Sequence, residues 1–482
     1  MNTEEFRLHG KEIIDYICEY NRSVDNESVT PKVKPGFLQN ALPAHPPYEP
    51  ESWDQIMRDV KTHLMPGITH WQHSGFHAYF PYGAAYPSLL GELMSDALGS
   101  NSFSWTASPT NTELEIIVMD WLVHALGLPE HFHSSTLGGG AFTSSASEGI
   151  LNCMLAARER GLKKLRSNSQ SIPDCHLLSK LVVYCSEEAH SALEKAAKIC
   201  MLTLRILPTD EDCILRGDVI QRAMDNDVTN GLLPIFLMAT IGTTSTAAFD
   251  DLESIGPICS NYDAWFHVDG AYAGSSFICP EMRQFQKGLE YADSFNCNPY
   301  KWLLTGADCA CLWVKDKRAY CSGFVVDPLY LESGNTDLSM DLRHWGISLT
   351  RKFRALKVWF VIRNYGIKGL QQYQRNHMTL AKYFKELMDD DARFEIVNKV
   401  QTGLVCFRVK TSNEFNSKLL KAINDNRVIY LTPTRVKYKY ILRFCVNSEH
   451  ANREHIGKYF CFSCQSNHRF NSCNRINAVQ CT

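Results

Sequence analysis

Residues 294–302 read SFNCNPYKW, and the interpretation of the whole chain starts from this stretch. Lys301 follows Asn-Pro-Tyr after a short apolar run and precedes Trp302, an unusual neighbourhood for a solvated surface charge. Most lysines are nevertheless surface residues, since lysine is almost never fully buried without a partner. An earlier stretch, FHVDGAY at residues 266–272, is expected to face it. Lys301 is therefore a weak signal on its own, and its meaning depends on the residues that accompany it.

The composition is that of a globular protein with a large core. The chain has 482 residues, 45% of them hydrophobic, which predicts two or three domains. Its 49 basic and 52 acidic residues give a net charge of -3, so neither nucleic acid nor an anionic membrane is expected as a partner. The polar, acidic start does not resemble a signal peptide, and no apolar run approaches the ~18 residues that span a bilayer.

Most of the 18 cysteines lie inside apolar runs, where free cysteine behaves as a small hydrophobic residue. This usage predicts a reducing, cytoplasmic compartment. Several cysteines and His468 occur in the tail from about Cys461 onward, but they show no regular spacing. Because structural zinc requires closed tetrahedral ligation on a defined scaffold, we expect no metal site there.

From about residue 84 to 360 the pattern is α/β. Short apolar runs at 181–184, 235–238, 264–268 and 309–314 alternate with helical segments. Nearly continuous apolar runs are typical of strands covered on both faces, which favours a mostly parallel sheet. Ligands of such sheets bind beyond the carboxyl ends of the strands, so the residues after each run are the candidates for a site.

The flanking segments complete a three-part organisation. The first residues form an amphipathic helix whose apolar face needs a surface to lie on, and a partner subunit would provide one. A long helix from Arg351 to Tyr373 leads to a small α+β part, with a helix at 415–424 and strands at 404–407, 428–431 and 441–446. We therefore expect an N-terminal helical segment at 1–83, a large domain at 84–360 and a small domain at 361–482.

Polar side chains follow several of the predicted strands. Ser145 and Glu148, after a glycine run, fit a capping box, and a helix N-terminus with free N–H groups is a ready phosphate site. Asp269 ends one run, Thr240–Ser245 supplies hydroxyls after another, and His190 lies beyond a third. Each also has a structural interpretation, since Asp269 fits a helix cap and a lone histidine is usually structural.

Together these residues describe one kind of site. A phosphate cradle, an acid, a flat histidine ring and Lys301 each lie beyond a strand of the same predicted sheet. Pyridoxal phosphate requires a lysine for its Schiff base, an acid for its pyridinium nitrogen and a site for its phosphate. Few other cofactors require that combination, so the sequence indicates pyridoxal 5'-phosphate.

The order of the motifs resembles the group II pyridoxal-phosphate-dependent decarboxylases, and among them the aromatic-L-amino-acid (dopa) decarboxylases. The resemblance runs from Glu4 to about Val446, through MPGITHWQ, AYFP, FSWTASPTNTELE, GGG with SSASE, AHSALEKA, IGTTS, HVDGAYAG, SFNCNPYKW, VDPLYL, RHWGISL and GLVCFRVK. It implies the α/β architecture of pyridoxal-phosphate fold-type I, with an N-terminal helical segment, a mostly parallel seven-stranded sheet in the large domain and a small α+β C-terminal domain. It also implies a homodimer in which the N-terminal helix packs on the partner subunit.

The resemblance assigns roles to individual residues. Lys301 matches the lysine that forms the internal aldimine, and Asp269 matches the acid that keeps the pyridine nitrogen protonated. His190 matches the histidine stacked on the cofactor, and Tyr330 matches a mobile-loop tyrosine to which protonation of the quinonoid carbon is attributed. The other matched cofactor positions are Ser145, Ala146, Ser147 and Asn298 at the phosphate and Thr244, His267 and Ala271 around the ring.

These matches imply decarboxylation of an aromatic L-amino acid, of the dopa, 5-hydroxytryptophan or tyrosine class, to the corresponding amine through an external aldimine and a quinonoid. In family members that act as aldehyde synthases, the stacked histidine is asparagine or the loop tyrosine is phenylalanine. This chain has His190 and Tyr330, which favours simple decarboxylation. The alternative from a different class is a catalytically weak homologue that keeps the fold as a binding or structural protein.

Several positions depart from the family pattern. Tyr300 stands where these decarboxylases usually have histidine, and Tyr82 where the aromatic branch has threonine. Gly270 replaces an alanine, Asn101 an apolar residue and Thr350 a glycine. A hydroxyl residue at the Thr350 position resembles the histidine decarboxylase branch, so histidine stays among the candidate substrates. The residues expected at the substrate are Tyr79, Phe80, Tyr82, Phe103, His190, Tyr300 and Thr350.

Overall fold

The computed structural model describes residues 1–168, 172–325 and 341–463. The chain forms two compact units, which are described separately. The large unit comprises Phe80–Thr379 and Val397–Leu404, and the small unit comprises Met1–Tyr79, Leu380–Ile396 and the described residues from Val405 onward. The domain boundaries expected after residues 83 and 360 stay a prediction.

Fourteen α-helices are numbered here in chain order over the described ranges. They are α1 (Thr3–Ser23), α2 (Phe37–Ala41), α3 (Trp53–Asp59), α4 (Tyr86–Leu98), α5 (Pro109–Leu126), α6 (Ala146–Asn168), α7 (Asp174–Leu178), α8 (Ala192–Cys200), α9 (Gly217–Thr229), α10 (Leu252–Asn261), α11 (Pro299–Trp302), α12 (Lys317–Cys321), α13 (Arg354–Asp389) and α14 (Asn413–Asp425). Within the described ranges, no helix has both the length and the apolar character required to cross a membrane.

A seven-stranded sheet forms the centre of the large unit, which confirms the predicted fold class. Its strands are β1 (Gly139–Thr143), β2 (Leu181–Ser186), β3 (Thr203–Leu207), β4 (Leu233–Thr240), β5 (Trp265–Asp269), β6 (Ser294–Cys297) and β7 (Ala310–Val314). Their order across the sheet is β1-β7-β6-β5-β4-β2-β3. The sheet is parallel from β3 to β6, and β7 runs antiparallel to both of its neighbours.

The apolar runs of the sequence become strands that are covered on both faces. Strands β1, β2, β5, β6 and β7 are buried at every position. One layer of the core joins β2 and β4 to α6 and α8, through Val183, Phe236, Met154 and Leu193. Because β2, β4, β5 and β6 are parallel, their carboxyl ends meet at one edge of the sheet, and the polar residues that follow them are brought together there.

A four-stranded sheet belongs mainly to the small unit. Its strands are β8 (Phe394–Ile396), β9 (Leu404–Val409), β10 (Thr432–Val436) and β11 (Lys439–Cys445), in the order β10-β11-β9-β8. The predicted strand at 428–431 is wrong, because the chain turns there. Arg427 has a φ of +55°, and the N–H of Tyr430 donates to the carbonyl of Gly75 at 3.0 Å. The strand begins only at Thr432.

The predicted helix from Arg351 to Tyr373 is observed with different ends. Helix α13 begins at Arg354 and continues to Asp389, and Gly366 interrupts it with a φ of +63°. The first helix, α1, begins with a capping box in which Asn2 accepts from the N–H of Glu5 at 3.0 Å. The cysteine-rich tail beyond residue 463 lies outside the described residues.

Candidate active site

A cavity of about 190 Å³ lies where the polar residues that follow β2, β4, β5 and β6 come together in the large unit. Its wall brings together residues that are up to 221 positions apart in the chain, from Phe80 to Lys301. The lining residues are Phe80, Ser145, Ala146, Ser147, Ile150, His190, Ala192, Thr240, Gly242, Thr244, Asp269, Ala271, Tyr272, Asn298, Tyr300 and Lys301. Ile150, Ala192 and Tyr272 had not been predicted as site residues, whereas Thr240 and Gly242 lie in the segment 240–245 that had been predicted to supply hydroxyl groups.

Lys301 reaches the cavity from the short helix α11. Asn298 is the residue before this helix and Pro299 is its first residue, a position where the missing N–H of proline has no cost. The N–H of Lys301 donates to the carbonyl of Asn298 at 2.9 Å, which fixes the backbone at the base of the side chain. The Lys301 ammonium nitrogen lies 5.5 Å from the centre of the Phe80 ring. The lysine is thus a half-buried amine in the cavity wall.

Asp269 ends strand β5 and is almost fully buried. Its Oδ1 accepts hydrogen bonds from the N–H of Ala271 at 2.9 Å and from Nδ2 of Asn296 at 3.0 Å. These donors hold the carboxylate in a defined position beside the cavity.

A buried hydrogen-bond network leads through His267 to Asp269. The indole N–H of Trp265 donates to Oγ of Ser294 at 2.7 Å, and Ser294 Oγ lies 2.8 Å from His267 Nδ1. His267 Nε2 lies 2.8 Å from Oδ1 of Asn296. Since Nδ2 of Asn296 donates to Asp269, its Oδ1 accepts, so the proton of the neutral imidazole is on Nε2. Burial lowers the pKa of His267 to about 4, so the ring is neutral near pH 7.

This network follows from the pairing of two strands. His267 is opposite Ser294, and Asp269 is opposite Asn296, in the parallel register of β5 and β6. Side chains two residues apart on a strand share a face, so these four groups lie on one side of the sheet. Ser294 and Asn296 were not predicted as site residues, although the alternation of polar residues within SFNCN was a signal for them.

His190 lies between β2 and α8, in the cavity wall. Its Nδ1 accepts from the backbone N–H of Ala192 at 3.1 Å, so the neutral ring carries its proton on Nε2. Loss of solvent around the ring is the main cause that lowers the pKa of His190, and Lys301 lowers it further, against an opposing effect of Asp269. His190 is therefore a neutral donor through Nε2 near pH 7.

The N-terminus of α6 forms another part of the wall, with Ser145, Ala146 and Ser147. Ser145 Oγ accepts from the N–H of Glu148 at 3.3 Å, as the predicted capping box requires. The return bond differs from the prediction, because Glu148 Oε2 accepts from the N–H of Ser144 at 2.8 Å. The free N–H groups and the dipole of this long helix favour an anion at this place.

Two polar atoms of the cavity residues are buried without a hydrogen-bond partner among the described residues. They are Oγ1 of Thr240 and Oδ1 of Asn298. An unpaired buried polar group costs ~1–3 kcal/mol, so a polar ligand in the cavity would remove this cost. An amine, a carboxylate, a helix N-terminus and unpaired polar atoms around one cavity fit pyridoxal phosphate, which Lys301, Asp269 and the Ser145–Ser147 segment would hold.

The residues predicted for the substrate are not all in the cavity wall. Phe80, His190 and Tyr300 line it. The ring of Tyr82 lies 6.0 Å from that of Tyr300, whereas Phe103 and Thr350 belong to the large unit without lining the described cavity. Tyr79 belongs to the small unit, where it stacks on Trp71 at 5.3 Å. Tyr330 lies outside the described residues.

Asn101, one of the positions that depart from the family pattern, has a structural partner. Its Oδ1 accepts from the backbone N–H of Arg351 at 2.9 Å, which ties residue 101 to the segment that carries Thr350. Arg351 itself forms a buried ion pair with Glu115. The polar residue at 101 thus stabilises the neighbourhood of Thr350.

Comparison with known proteins identifies the family of the chain. The model of the pyridoxal-dependent decarboxylase conserved domain matches residues 35–410. The chain is 44% identical over 460 residues to the aromatic-L-amino-acid decarboxylase of Cavia porcellus, covering 95% of this chain and 96% of that protein. It is also 44% identical over 459 residues to the histidine decarboxylase of Homo sapiens, covering 95% of this chain and 69% of that protein.

A solved structure gives the same result at the level of the fold. The crystal structure of Oryza sativa TDC with PLP and tryptamine superposes with a TM-score of 0.94 at 34% identity, covering 97% of this chain and 99% of that chain. The family model, the relatives and this structure agree on the family of the chain. The chain belongs to the pyridoxal-dependent decarboxylases, carboxy-lyases whose cofactor is pyridoxal phosphate.

Proposed function

We propose that this protein decarboxylates an aromatic L-amino acid, of the dopa, 5-hydroxytryptophan or tyrosine class, to the corresponding amine. The observation that carries the proposal is the single cavity that joins Lys301, Asp269 and His190 to the N-terminus of α6. The similarity to aromatic-L-amino-acid decarboxylases over 95% of the chain supports it.

The residues of the cavity divide the work of holding a cofactor and a substrate. When bound, pyridoxal phosphate supplies the electron sink that accepts the electron pair of the broken carbon–carboxylate bond. Lys301 would be the amine that holds the cofactor, and Asp269 would hold its ring nitrogen. Ser145, Ser147 and the N–H groups of α6 would bind its phosphate.

Control of the proton decides between amine and aldehyde. We assign delivery of a proton to the substrate α-carbon to Tyr330, together with His190, which is a neutral Nε2–H donor. His190 and Tyr330 are both present, which favours the amine product. An aldehyde synthase would instead form aldehyde and hydrogen peroxide from the same substrate.

Histidine decarboxylation is the second candidate. The human histidine decarboxylase is as similar to this chain as the aromatic-L-amino-acid decarboxylase, at 44% identity. Thr350 resembles the histidine decarboxylase branch, and Tyr300 places a hydroxyl group in the cavity wall, where polar groups discriminate strongly between substrates. We rank the aromatic substrates first because the segments SSASE at residues 144–148 and FICPE at residues 277–281 resemble that branch.

Product analysis with a panel of amino acids tests the proposal. Dopa, 5-hydroxytryptophan, tyrosine and histidine are supplied separately, and amine, aldehyde and hydrogen peroxide are measured. We expect amine from at least one aromatic substrate, without stoichiometric peroxide. Histamine as the main product would favour the second candidate, and aldehyde with equal peroxide would show an aldehyde synthase.

The variant Lys301→Ala distinguishes an active enzyme from a catalytically weak homologue. The variant should lose both the visible absorbance of the bound cofactor and amine formation, because the covalent bond to the lysine amine is removed. If the wild-type protein forms no amine and shows no absorbance that depends on Lys301, the chain acts as a scaffold.

We further propose a homodimer and a cytoplasmic location. Leu90, Leu93 and Met94 on α4 are each about half exposed, and an apolar face of this kind marks an interaction surface. Helix α1 likewise exposes Phe6 and Ile14, which supports its predicted packing on the partner subunit. The described cysteines are free thiols, as expected in a reducing compartment.

A further inference from the structure

Asn298 and Tyr300 form a hydrogen-bonded pair in the cavity wall, on either side of Pro299. Nδ2 of Asn298 lies 3.0 Å from the Tyr300 hydroxyl oxygen. Oδ1, at the other end of the same amide, is buried and has no partner among the described residues. In this orientation Nδ2 of Asn298 donates to the Tyr300 hydroxyl, and no donor reaches the buried Oδ1 of Asn298 among the described residues.

The opposite orientation of the amide suits an anion better. The two ends of an asparagine amide have almost the same shape, so their hydrogen-bonding partners decide which end is which. A phenol hydroxyl both donates and accepts, so Tyr300 is equally able to donate to Oδ1. Nδ2 then takes the place of the unpaired atom and offers its N–H groups to a ligand. The hydroxyl of Tyr300 is compatible with this orientation, whereas a phenylalanine ring would give the amide no partner.

The surrounding contacts make Tyr300 a fixed donor. The N–H of Asn298 donates to the carbonyl of Ala271 at 3.3 Å, and the N–H of Gly83 donates to the carbonyl of Tyr300 at 2.7 Å. The Tyr82 ring packs 6.0 Å away. Burial, with a smaller effect of Tyr82 and Asp269, raises the pKa of Tyr300, so its hydroxyl keeps its proton near pH 7.

We propose that Tyr300 is a positioning residue for cofactor binding, whose hydroxyl holds the Asn298 amide with Nδ2 as a donor to the phosphate of pyridoxal phosphate. The inference rests on the proposed assignment of this cavity to the cofactor. Ser145, Ser147 and the N-terminus of α6 lie in the same wall and supply the remaining donors that an anion requires. Tyr300, the residue before Lys301, thus acts on the cofactor phosphate through the amide of Asn298.

Tyr300→Phe tests the inference because it removes the hydroxyl and keeps the ring. Dissociation constants of pyridoxal phosphate and of pyridoxal, which lacks the phosphate, are measured by equilibrium dialysis after removal of the cofactor. We expect about tenfold weaker binding of pyridoxal phosphate, as for one hydrogen bond to a charged group, and unchanged binding of pyridoxal. Tyr184→Phe is the control, because its buried hydroxyl donates to Asp227 at 2.8 Å, outside the cavity wall. It should leave both constants unchanged.

Second variants separate positioning from a general loss of structure. In an Asn298→Ala background, Tyr300→Phe should cause no further loss of affinity, since its effect passes through that amide. Tyr300→His keeps a ring N–H donor and should restore most of the affinity for pyridoxal phosphate.

The outcomes distinguish this inference from the proposed function. Wild-type affinity of Tyr300→Phe for pyridoxal phosphate, or an equal loss for both ligands, would overturn the inference while the cofactor assignment stands. Additive losses in the double variant would overturn it as well. If the wild-type protein binds neither ligand, the cavity is not the cofactor site, and both proposals fail.

Discussion

At the residue scale, the position of Asp269 depends on neighbouring side chains whose hydrogen bonds allow each of them only one orientation. Asn296 donates to Asp269 and accepts from His267, which in turn accepts from Ser294. An apolar replacement at any of these positions leaves a buried polar group unpaired, at a cost of ~1–3 kcal/mol. The geometry of the acid is therefore a property of the network as well as of Asp269.

His267 should make the stability of the protein depend on pH. Its pKa in the folded state is about 4, below the ordinary value near 6.5, so the unfolded chain binds more protons between these values. The stabilising contribution is complete above about pH 6.5 and is lost as the pH falls toward 4, by about 1 kcal/mol for each pH unit. We expect the melting temperature to fall more steeply between pH 6.5 and 5 in the wild-type protein than in His267→Gln.

His45→Gln is the control for this measurement, because His45 is an exposed histidine of the small unit. Its melting temperatures should follow the wild-type curve. Equal slopes for His267→Gln and the wild-type protein would contradict the prediction.

At the scale of elements, the turn between β4 and α10 forms one part of the cavity wall. Ile241 pairs with Phe249, and the N–H groups of Gly242 and Thr243 both donate to the carbonyl of Ala248 at 3.0 Å. Gly242 has a φ of +88°, and a Cβ added there would meet Cβ of Ala273 at 2.5 Å. Glycine is thus required at position 242 for two reasons, its backbone conformation and its lack of a side chain.

Gly242→Ala should lower both stability and cofactor affinity. We expect a loss of about 2–4 kcal/mol, from the left-handed backbone and the crowding against Ala273. Gly231→Ala is the matched control, because Gly231 has a φ of +75° with no atom within 4 Å of an added Cβ. It should show only the backbone cost, ~1–2 kcal/mol, with cofactor affinity unchanged. Equal losses of stability and affinity in the two variants would contradict the crowding argument.

What the sequence predicted depended on whether the signal was local. Strands β2, β4 and β5 were predictable because each contains a continuous apolar run, and Asp269 directly follows one of these runs. The strand expected at 428–431 failed because Arg427 adopts a positive φ, which its residue type does not announce. The partnership of Asn296 with Asp269 needs the strand register, and the pairing of Asn298 with Tyr300 needs side-chain positions, so neither was predicted. Tyr79 and Phe80 are adjacent in the motif AYFP, but Tyr79 belongs to the small unit and Phe80 to the large unit.

At the scale of the whole molecule, the proposed homodimer accounts for apolar surface that the chain leaves uncovered. Leu93 on α4 is 53% exposed, and its neighbours Leu90 and Met94 share that exposure. Contiguous exposed apolar residues on one helix are unusual for a monomer, whereas isolated ones are normal. The helix therefore fits a subunit interface.

Leu93→Glu should convert the dimer to a monomer, because a buried unpaired carboxylate opposes association. Sedimentation velocity measures the change. Ile199→Glu is the matched control, since Ile199 on α8 is similarly exposed at 57% but lies on a different helix. It should remain a dimer. A wild-type protein that sediments as an active monomer would contradict the proposed assembly.

Each donor and acceptor in the hydrogen-bond network around His267 has a fixed role, and this limits how the sequence of such a protein can diverge. A single substitution at Ser294, His267 or Asn296 leaves a buried polar atom without its hydrogen-bond partner. Sequence change at these positions therefore requires compensating changes in both β5 and β6. Tyr82 and Tyr300 are outside that network, and a change at either leaves it intact. Lineages of this fold are therefore expected to explore new substrates at Tyr82 while inheriting β5 and β6 as one unit.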